Sequence, residues 1–412
     1  MAQGSNNLLI FILAVGVFGI LNTEMGVVGI IPQVSEAFSV SVPDAGMLVS
    51  GFALIVAIAG PTMPLLFSKA NRKTVMLLAL GVFTVCNAAA IFAPTFELLL
   101  AARVIPAAFH PLYVSMAMAV ASQTGATPAD RAKSSSRVFA GVSAGMVIGP
   151  PLASFLASAV VLEAVFALFA AVTAAVFVAT IFLVPSMPVE RALSYGGQVA
   201  ILKKPVVWAS LLATVLVNGG MFGFYSFMSD YFGAVSGMGA LAVSAVLLLY
   251  GGANIVGNIV SGHALGRAEV RTLITMPIVL VALYAVLFAV GELSVATAAV
   301  VTVLGVIAGI ANNANQYMVS RAAPEAPDFS NGLYLTAANI GTTAGTALCG
   351  ALITAAGTRA SVAGAVIFVA VGVTFVAWRI ICTRKAVDKQ ADDAVARVTD
   401  NPLGSLPHRH TT

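Results

Sequence analysis

Three ionisable side chains, Glu24, Arg103 and His110, lie within long apolar stretches of the sequence. Glu24 interrupts the stretch from Leu8 to Ile31, which is long enough to cross a membrane as a helix. A carboxylate inside a membrane costs roughly 2.5–3.5 kcal/mol on insertion scales, so its presence indicates a function. Acidic and imidazole side chains in such positions bind and release protons, and we therefore predict that these three residues take part in proton coupling.

The membrane depths of residues in the predicted helices indicate a partner for Glu24. At 1.5 Å per residue, Glu24 lies about 24 Å above Leu8 and roughly 6 Å below the outer edge of the hydrocarbon core. Arg103 follows the start of its own inward-running stretch at Glu97, which places it roughly 9 Å below the same edge. We therefore expect Glu24 and Arg103 to interact directly or through water. Since arginine does not release its proton, Glu24 is the predicted carrier, and a permanent ion pair is the structural alternative.

Two further ionisable residues have open roles. His110 lies seven residues beyond Arg103, two turns along the same helix face. It titrates in the physiological range, so it can relay protons or bind a substrate hydroxyl, with a hydrogen-bonded core histidine as the alternative. Asp230 is expected to reach water at the outer mouth, and a second proton or cation site is the sharper alternative.

Amide side chains form a second polar cluster in the apolar stretch 294–320. They cannot all face lipid, because each unsatisfied polar group there costs several kcal/mol. We expect them to line a cavity, although hydrogen bonds between helices are an alternative use. Neutral amides suit hydroxylated or heterocyclic ligands better than cations. The predicted substrate-binding residues, all polar within apolar stretches, are Asn22, His110, Asn218, Tyr225, Asn312, Asn313, Gln316 and Asn339.

The composition is typical of an all-α membrane protein. Of 412 residues, 59% are hydrophobic and 9% are charged, against about 25% charged in soluble proteins. Twelve apolar stretches are long enough to cross a membrane as helices, and we call them spans 1 to 12. Their predicted ranges are 8–31, 45–67, 74–93, 96–122, 134–158, 162–184, 206–232, 240–264, 270–290, 294–320, 329–356 and 360–383.

Basic residues predict the orientation of the spans. Of the 20 lysines and arginines, only Arg359 falls in a loop assigned to the outside, and Arg103 falls within a span. This asymmetry predicts that both termini are cytoplasmic, in the inner membrane of a bacterial-type cell. The net charge of +4 therefore reflects orientation, and no nucleic-acid partner is expected.

The sequence has no pattern that indicates an enzyme. The three cysteines fall in predicted spans without metal-ligand spacing, and a nucleotide-binding loop is absent. We therefore expect no metal and no cofactor, with a proton gradient as the energy source. The expected partners are a small-molecule substrate, protons and the lipid bilayer, and we expect a monomer.

A polar loop divides the spans six and six. We predict a first six-helix bundle at 1–184, a cytoplasmic linker at 185–205 and a second six-helix bundle at 206–383. The charged remainder, 384–412, is predicted to be a disordered cytoplasmic tail.

Glycines repeat between these halves. Gly141 and Gly145 in span 5 recur as Gly341 and Gly345 in span 11. A parallel repeat of this kind is typical of transporters whose substrate site lies between two halves, although such helices can also share small residues by chance.

Several motifs resemble those of the major facilitator superfamily. Gly141, Gly145 and Gly149 form a small-residue stripe that lets a helix approach closely. Gly145-Met-Val-Ile-Gly149-Pro150 resembles the Gly-Pro motif of antiporters in that superfamily. Ser68-Lys69-Ala70-Asn71-Arg72-Lys73 resembles its loop motif between spans 2 and 3, with Asn71 in place of the usual acid. The resemblance implies gating or helix-packing roles for Asn71, Arg72, Gly141, Gly145, Gly149 and Pro150.

A closer resemblance is to the twelve-span drug:proton antiporters, in their sugar-efflux and purine-nucleoside-efflux subgroup. Asn22-Thr23-Glu24 followed by Gly29-Ile-Ile-Pro32 is similar to the subgroup's signature, with Met25 replacing a phenylalanine. Ala107-Ala-Phe-His110 resembles its Ala-His in span 4. The resemblance implies two pseudo-symmetric six-helix bundles, with spans 1 and 4 lining a central cavity.

We therefore expect a secondary active transporter, a proton-coupled antiporter that exports a sugar, nucleoside or drug-like solute by alternating access. An importer of the same architecture, either a proton symporter or facilitative, is the alternative. A non-transporting membrane receptor is less favoured, because the sequence shows no sizeable soluble domain.

Overall fold

The computed structural model describes residues 3–124, 127–188 and 196–399, and these ranges are helical and contain no strand. Ten of their helical stretches are long and apolar enough to cross a membrane. One of them, Ala240–Val290, has 51 residues and is therefore roughly 76 Å long, enough for two crossings. The helix Pro327–Ala356, rich in threonine and glycine, adds the twelfth crossing. The predicted all-α fold of twelve transmembrane helices is confirmed.

The observed helices follow the predicted spans in order. Their bounds are Gln3–Gly26, a 3-10 turn Val27–Ile30 and Ile31–Phe38 for span 1; Val42–Ala45 and Met47–Leu66 for span 2; Arg72–Ile91 for span 3; Phe96–Ala107 and His110–Ala121 for span 4; Pro128–Ala159 for span 5; Leu162–Leu183 for span 6; Pro205–Ser226 and Met228–Ala234 for span 7; Ala240–Val290 for spans 8 and 9; Ser294–Ala322 for span 10; Pro327–Ala356 for span 11; and Ser361–Thr399 for span 12.

Breaks in two spans matter for the site. The helix of span 1 ends at Gly26 and gives way to a 3-10 turn, and the next helix begins at Ile31 with Pro32 in its first turn. Span 4 is broken between Ala107 and His110, with Pro106 before the break and Pro111 after it. Proline has no amide hydrogen to donate, so it interrupts the helical bond pattern at these places.

Glycines of span 5 and span 11 make equivalent close approaches. A Cβ atom on Gly141 would lie 2.2 Å from the carbonyl oxygen of Ala14 in span 1, and one on Gly341 would lie 2.3 Å from that of Val215 in span 7. Such distances leave no room for a side chain. The repeated glycines therefore pack span 5 on span 1 and span 11 on span 7 in the same way, as expected for two pseudo-symmetric bundles.

The two halves meet through spans 2 and 11 and through spans 5 and 8. Near the ends of the spans away from the N-terminus, the Ser229 hydroxyl donates to the Val28 carbonyl oxygen over 2.7 Å, and the Ser244 hydroxyl donates to the Ser154 hydroxyl over 3.0 Å. At the opposite end, the side that carries the N-terminus, a cavity between the halves reaches exposed residues, among them Phe139 and Gln316. The described structure thus joins the halves on one side and has a cavity open on the other.

The described parts of the linker and of the tail contain helical structure. The end of the linker, Gly196–Lys203, is a 3-10 helix, and the next residue, Lys204, hydrogen-bonds Glu325 in the loop before span 11. This bond holds the pKa of the Glu325 carboxyl below its usual value.

Span 12 continues as a helix to Thr399. Residues 384–399, which belong to the tail predicted to be disordered, are therefore helical instead, and the rest of that tail lies outside the described residues.

The glycine packing can be tested at Gly345. A Cβ atom there would lie 1.9 Å from the Gly219 carbonyl oxygen, so Gly345→Ala must push span 11 away from span 7. We expect a loss of about 1–3 kcal/mol in stability, seen as a lower thermal unfolding midpoint in detergent. Gly262→Ala is the matched control, because nothing lies within 4 Å of a Cβ atom at that helical glycine. Equal midpoints for the two variants would contradict this packing.

Candidate functional site

A cavity of about 450 Å³ lies between the two halves. Its walls come from spans 1, 2, 4 and 5 of the first half and spans 7, 8, 10 and 11 of the second. It extends to exposed residues near the open end, among them Phe139, Gln316 and Asn331. Among the described residues that line it, Glu24 and His110 are the only acidic and basic side chains. The cavity volume lies in the range that binds small molecules.

Glu24 and His110 face each other directly. The distance between Glu24 Oε2 and His110 Nε2 is 3.1 Å, and both side chains are about nine-tenths buried, at 12% and 11% exposure. Neither ring nitrogen of His110 forms an aligned hydrogen bond within the described residues. The ring packs edge-on against Phe52, with 5.9 Å between centroids. The arrangement can therefore hold a proton between carboxylate and imidazole while keeping hydrogen-bonding capacity free.

Arg103 contacts Glu24 through the main chain. It is 1% exposed, and its two terminal nitrogens donate to the carbonyl oxygens of Thr23 and Glu24 rather than to the Glu24 carboxylate. These carbonyls belong to the last turn of the helix that ends at Gly26, and the last carbonyl oxygens of a helix generally lack intrahelical partners. The predicted proximity of Arg103 and Glu24 is thus observed, but the expected charge pairing is replaced by capping of a helix end.

Most of the predicted substrate-binding residues lie on one wall of the cavity. Two do not line it. Asn22 is 1% exposed and packs against Gly149, because span 5 covers that face of span 1. Tyr225 lies behind the wall, stacked on Tyr250 with 5.1 Å between ring centroids. Those that line the cavity are His110, Asn218, Asn312, Asn313, Gln316 and Asn339.

The structure adds amides that the predicted set lacks. Asn254, Asn258 and Asn331 also line the cavity. Asn254 and Asn258 are four residues apart, so they share one face of span 8, and that spacing was a usable signal. Asn331 follows the loop before span 11 and stands within 3.5 Å of Gln316. No periodic pattern marks it.

The loop motif between spans 2 and 3 holds the first half together. The Asn71 side chain accepts from the Lys73 amide over 3.0 Å and donates to the Ser186 hydroxyl over 2.6 Å. Arg72 donates to Gln123 at the end of span 4 over 2.6 Å. All of these partners belong to the first half or the start of the linker, so in this open state the motif does not bridge the two halves among the described residues.

The structure also places Pro150 and Asp230. The Pro150 carbonyl oxygen lies so close to Gly29 that a Cβ atom on Gly29 would be 2.1 Å from it, so Pro150 packs against the broken part of span 1.

Asp230 was expected to reach water, but it is 8% exposed and accepts a hydrogen bond from the Thr358 hydroxyl over 2.9 Å. The short helix Met228–Ala234 folds back against span 1 and thereby buries it.

Comparison with known proteins decides the family. A family model described as "Major Facilitator Superfamily" matches residues 13–329. The chain belongs to the major facilitator superfamily. The inner membrane transport protein YdhP of Escherichia coli is 27% identical over 343 residues, covering 83% of this chain and 88% of the relative. A probable sugar efflux transporter of Mannheimia succiniciproducens is 24% identical over 333 residues, covering 81% and 83%.

Solved structures of this superfamily share the fold. An inward-facing, unoccupied bacterial homolog of the human lysosomal transporter Spinster has a TM-score of 0.73 at 16% identity, covering 93% of this chain and 99% of that one. The human organic anion transporter MFSD10 has a TM-score of 0.61 at 15% identity, covering 91% and 100%. With its apolar helices, the chain is an integral membrane transport protein, and enzymatic activity is not a property of this family.

Arg103 provides a test of helix capping. Arg103→Met leaves buried carbonyl oxygens of Thr23 and Glu24 unsatisfied, at a cost of about 1–3 kcal/mol, and Arg103→Lys should recover part of this. We expect a clear fall in the thermal midpoint for the methionine variant. Arg359→Met is the control, because Arg359 also donates to a main-chain oxygen, that of Phe288, but its side chain is 36% exposed. An equal or larger fall for the control would contradict the capping role.

Proposed function

We propose that this protein is a proton-coupled antiporter that exports a small solute by alternating access. The observation that carries the proposal is the Glu24–His110 pair, 3.1 Å apart, on the wall of a cavity that lies between two halves and opens at one end. Buried ionisable residues that face such a cavity are typical of proton pathways. Membership of a transporter superfamily supports this use of the cavity.

Arg103 leaves the Glu24 carboxylate available for proton exchange. Its terminal nitrogens are occupied by the carbonyl oxygens of Thr23 and Glu24, so they do not neutralise the carboxylate by direct contact. A permanently paired glutamate would lose its proton-binding role, whereas a glutamate opposite an imidazole can exchange one. The Arg103 guanidinium therefore positions Glu24, and His110 shares the proton that Glu24 binds.

The side on which the cavity opens determines the order of the steps in the exchange cycle. With the orientation predicted by the basic loops, this cavity opens to the cytoplasm of a bacterial-type cell, where Glu24 and His110 release a proton and the solute enters. The halves then rock, the solute leaves on the outer side, and Glu24 binds a proton for the return. YdhP is named as an inner membrane transport protein and the Mannheimia relative as a probable sugar efflux transporter, and both names support this direction.

The hydrogen bonds between the halves on the outer side are weak enough to break when the halves rock. The bonds Ser229–Val28 and Ser244–Ser154 join neutral groups, and a net hydrogen bond of this type contributes about 0.5–1.5 kcal/mol. Contacts of this strength hold the outer side closed without locking it. Solute and proton binding can therefore shift the balance between two states that differ by a few kcal/mol.

Glu24→Gln tests the coupling. In inverted membrane vesicles with an imposed pH gradient, we expect solute-dependent proton movement to fall at least tenfold, because glutamine cannot carry a proton. The probes are phenyl β-D-glucoside, adenosine and ethidium, one for each expected solute class, and uptake of the same probe reports direction.

Glu36→Gln is the matched control for Glu24→Gln. Glu36 is an exposed acid on the outer helix of the same span, and its removal should leave coupling unchanged. Normal proton movement in Glu24→Gln would exclude the carrier role. Uptake in right-side-out rather than inverted vesicles would indicate import instead.

A further inference from the structure

The two walls of the cavity differ in chemistry. The wall of the first half is largely apolar, with the Glu24–His110 pair set into it. The wall of the second half carries eight amide side chains and has no acidic or basic one among the described residues. These amides are Asn218, Asn254, Asn258, Asn312, Asn313, Gln316, Asn331 and Asn339. A ligand that fits has one apolar face and one polar edge.

Protein contacts orient three of these amides. The side-chain nitrogen of Asn218 donates to the Ala338 carbonyl oxygen over 2.6 Å, and that of Asn339 donates to the Leu335 carbonyl oxygen over 2.9 Å. The side-chain nitrogen of Asn313 donates to the Asn258 carbonyl oxygen over 3.0 Å. A main-chain carbonyl accepts and cannot donate, so each contact identifies which end of the amide is the nitrogen.

The opposite ends of these amides are hydrogen-bond acceptors open to the cavity. The Oδ1 atoms of Asn218, Asn313 and Asn339 have no donor among the described residues, yet they are not among the fully buried polar atoms that lack a partner, so they are accessible from the cavity that these residues line. The neighbouring Thr342 hydroxyl is also used, since it donates to Ala338 and accepts from Asn218. This part of the wall therefore offers acceptors and keeps its donors for the protein.

The charges around the cavity exclude an anionic ligand. The Glu24 carboxylate faces the cavity, and the described lining residues include no lysine or arginine. The nearest buried arginine, Arg103, is 1% exposed and bonded to main-chain oxygens. An anionic solute would meet a carboxylate and at least three acceptor oxygens, while the one basic side chain among the described lining residues, His110, is already paired with that carboxylate.

We propose that the transported solute is a non-anionic amphipathic molecule whose polar edge carries N–H or O–H donors, recognised by the oxygens of Asn218, Asn313 and Asn339. The apolar face lies on the first half, against residues such as Phe52 and Met146. This inference rests on the proposed function in one respect, that the central cavity is the substrate site.

Matched probes test the donor requirement on the purified full-length protein by equilibrium dialysis. The first series is phenyl β-D-glucoside, its tetra-O-methyl ether and phenyl β-D-glucuronide. The second is adenosine, its fully methylated form and its 5′-carboxylate. We expect at least one parent compound to bind at least tenfold more tightly than both of its derivatives. Equal binding of a methylated form, tighter binding of a carboxylate, or no binding of either parent would overturn the proposal.

Variants of Asn339 locate the interaction. Asn339→Ala should weaken binding of the parent compound about tenfold, the effect of one hydrogen bond, and leave the methylated form unchanged. Asn339→Thr keeps a donor for the Leu335 carbonyl oxygen and an oxygen that accepts, as Thr343 does four residues later, and should recover part of the binding. Thr354→Ala is the control, because Thr354 makes the same bond to its own helix, to Gly350, and lies outside the cavity lining. Equal losses in the alanine and threonine variants would show that the oxygen is not the recognised group.

The binding and transport assays separate the two proposals. Donor-dependent binding without proton-driven export would refute the antiporter and leave the recognition intact. Proton-driven export of the methylated or carboxylated probes would refute the recognition and leave the antiporter intact.

Discussion

The capping of span 1 by Arg103 is the interaction on which the site depends. Inside a membrane every main-chain polar group must find a protein partner, and a broken helix leaves carbonyl oxygens without one. Arg103 bonds those of Thr23 and Glu24 from span 4. The break in span 1 can therefore exist at this depth, and Glu24 is held where its carboxylate faces the cavity instead of the arginine.

A second break completes the pair. Span 4 is interrupted between Ala107 and His110, so His110 begins a new helix and its ring reaches the Glu24 carboxylate. Glycine packing of span 5 on span 1 supports the broken helix of span 1 from behind. The resulting cavity has the Glu24–His110 pair on one wall and the amides on the other. The proposed exchange of a proton for a polar solute uses this asymmetry.

Much of the fold was predictable because the physics that selects it acts along the chain. Hydropathy located the crossings, and the glycine stripe predicted a close helix contact, whereas the structure identified the partners as span 1 for span 5 and span 7 for span 11. The short helix carrying Asp230 was not foreseen, since its burial depends on contacts with span 1 and Thr358. Span 12 also extends to Thr399, into residues whose composition predicted disorder.

The sequence by itself determined that Glu24, Arg103 and His110 lie at related depths, and that amides gather in span 10, because helix rise and side-chain cost depend on local order. Only the tertiary structure decided which atoms meet. In the folded protein Arg103 donates to carbonyl oxygens, and His110 lies against the Glu24 carboxylate. Asn22 lies in a contact between helices, and three amide oxygens face the cavity. Those choices depend on helix breaks and on packing between distant spans, and local sequence does not encode how a side chain turns within such a contact.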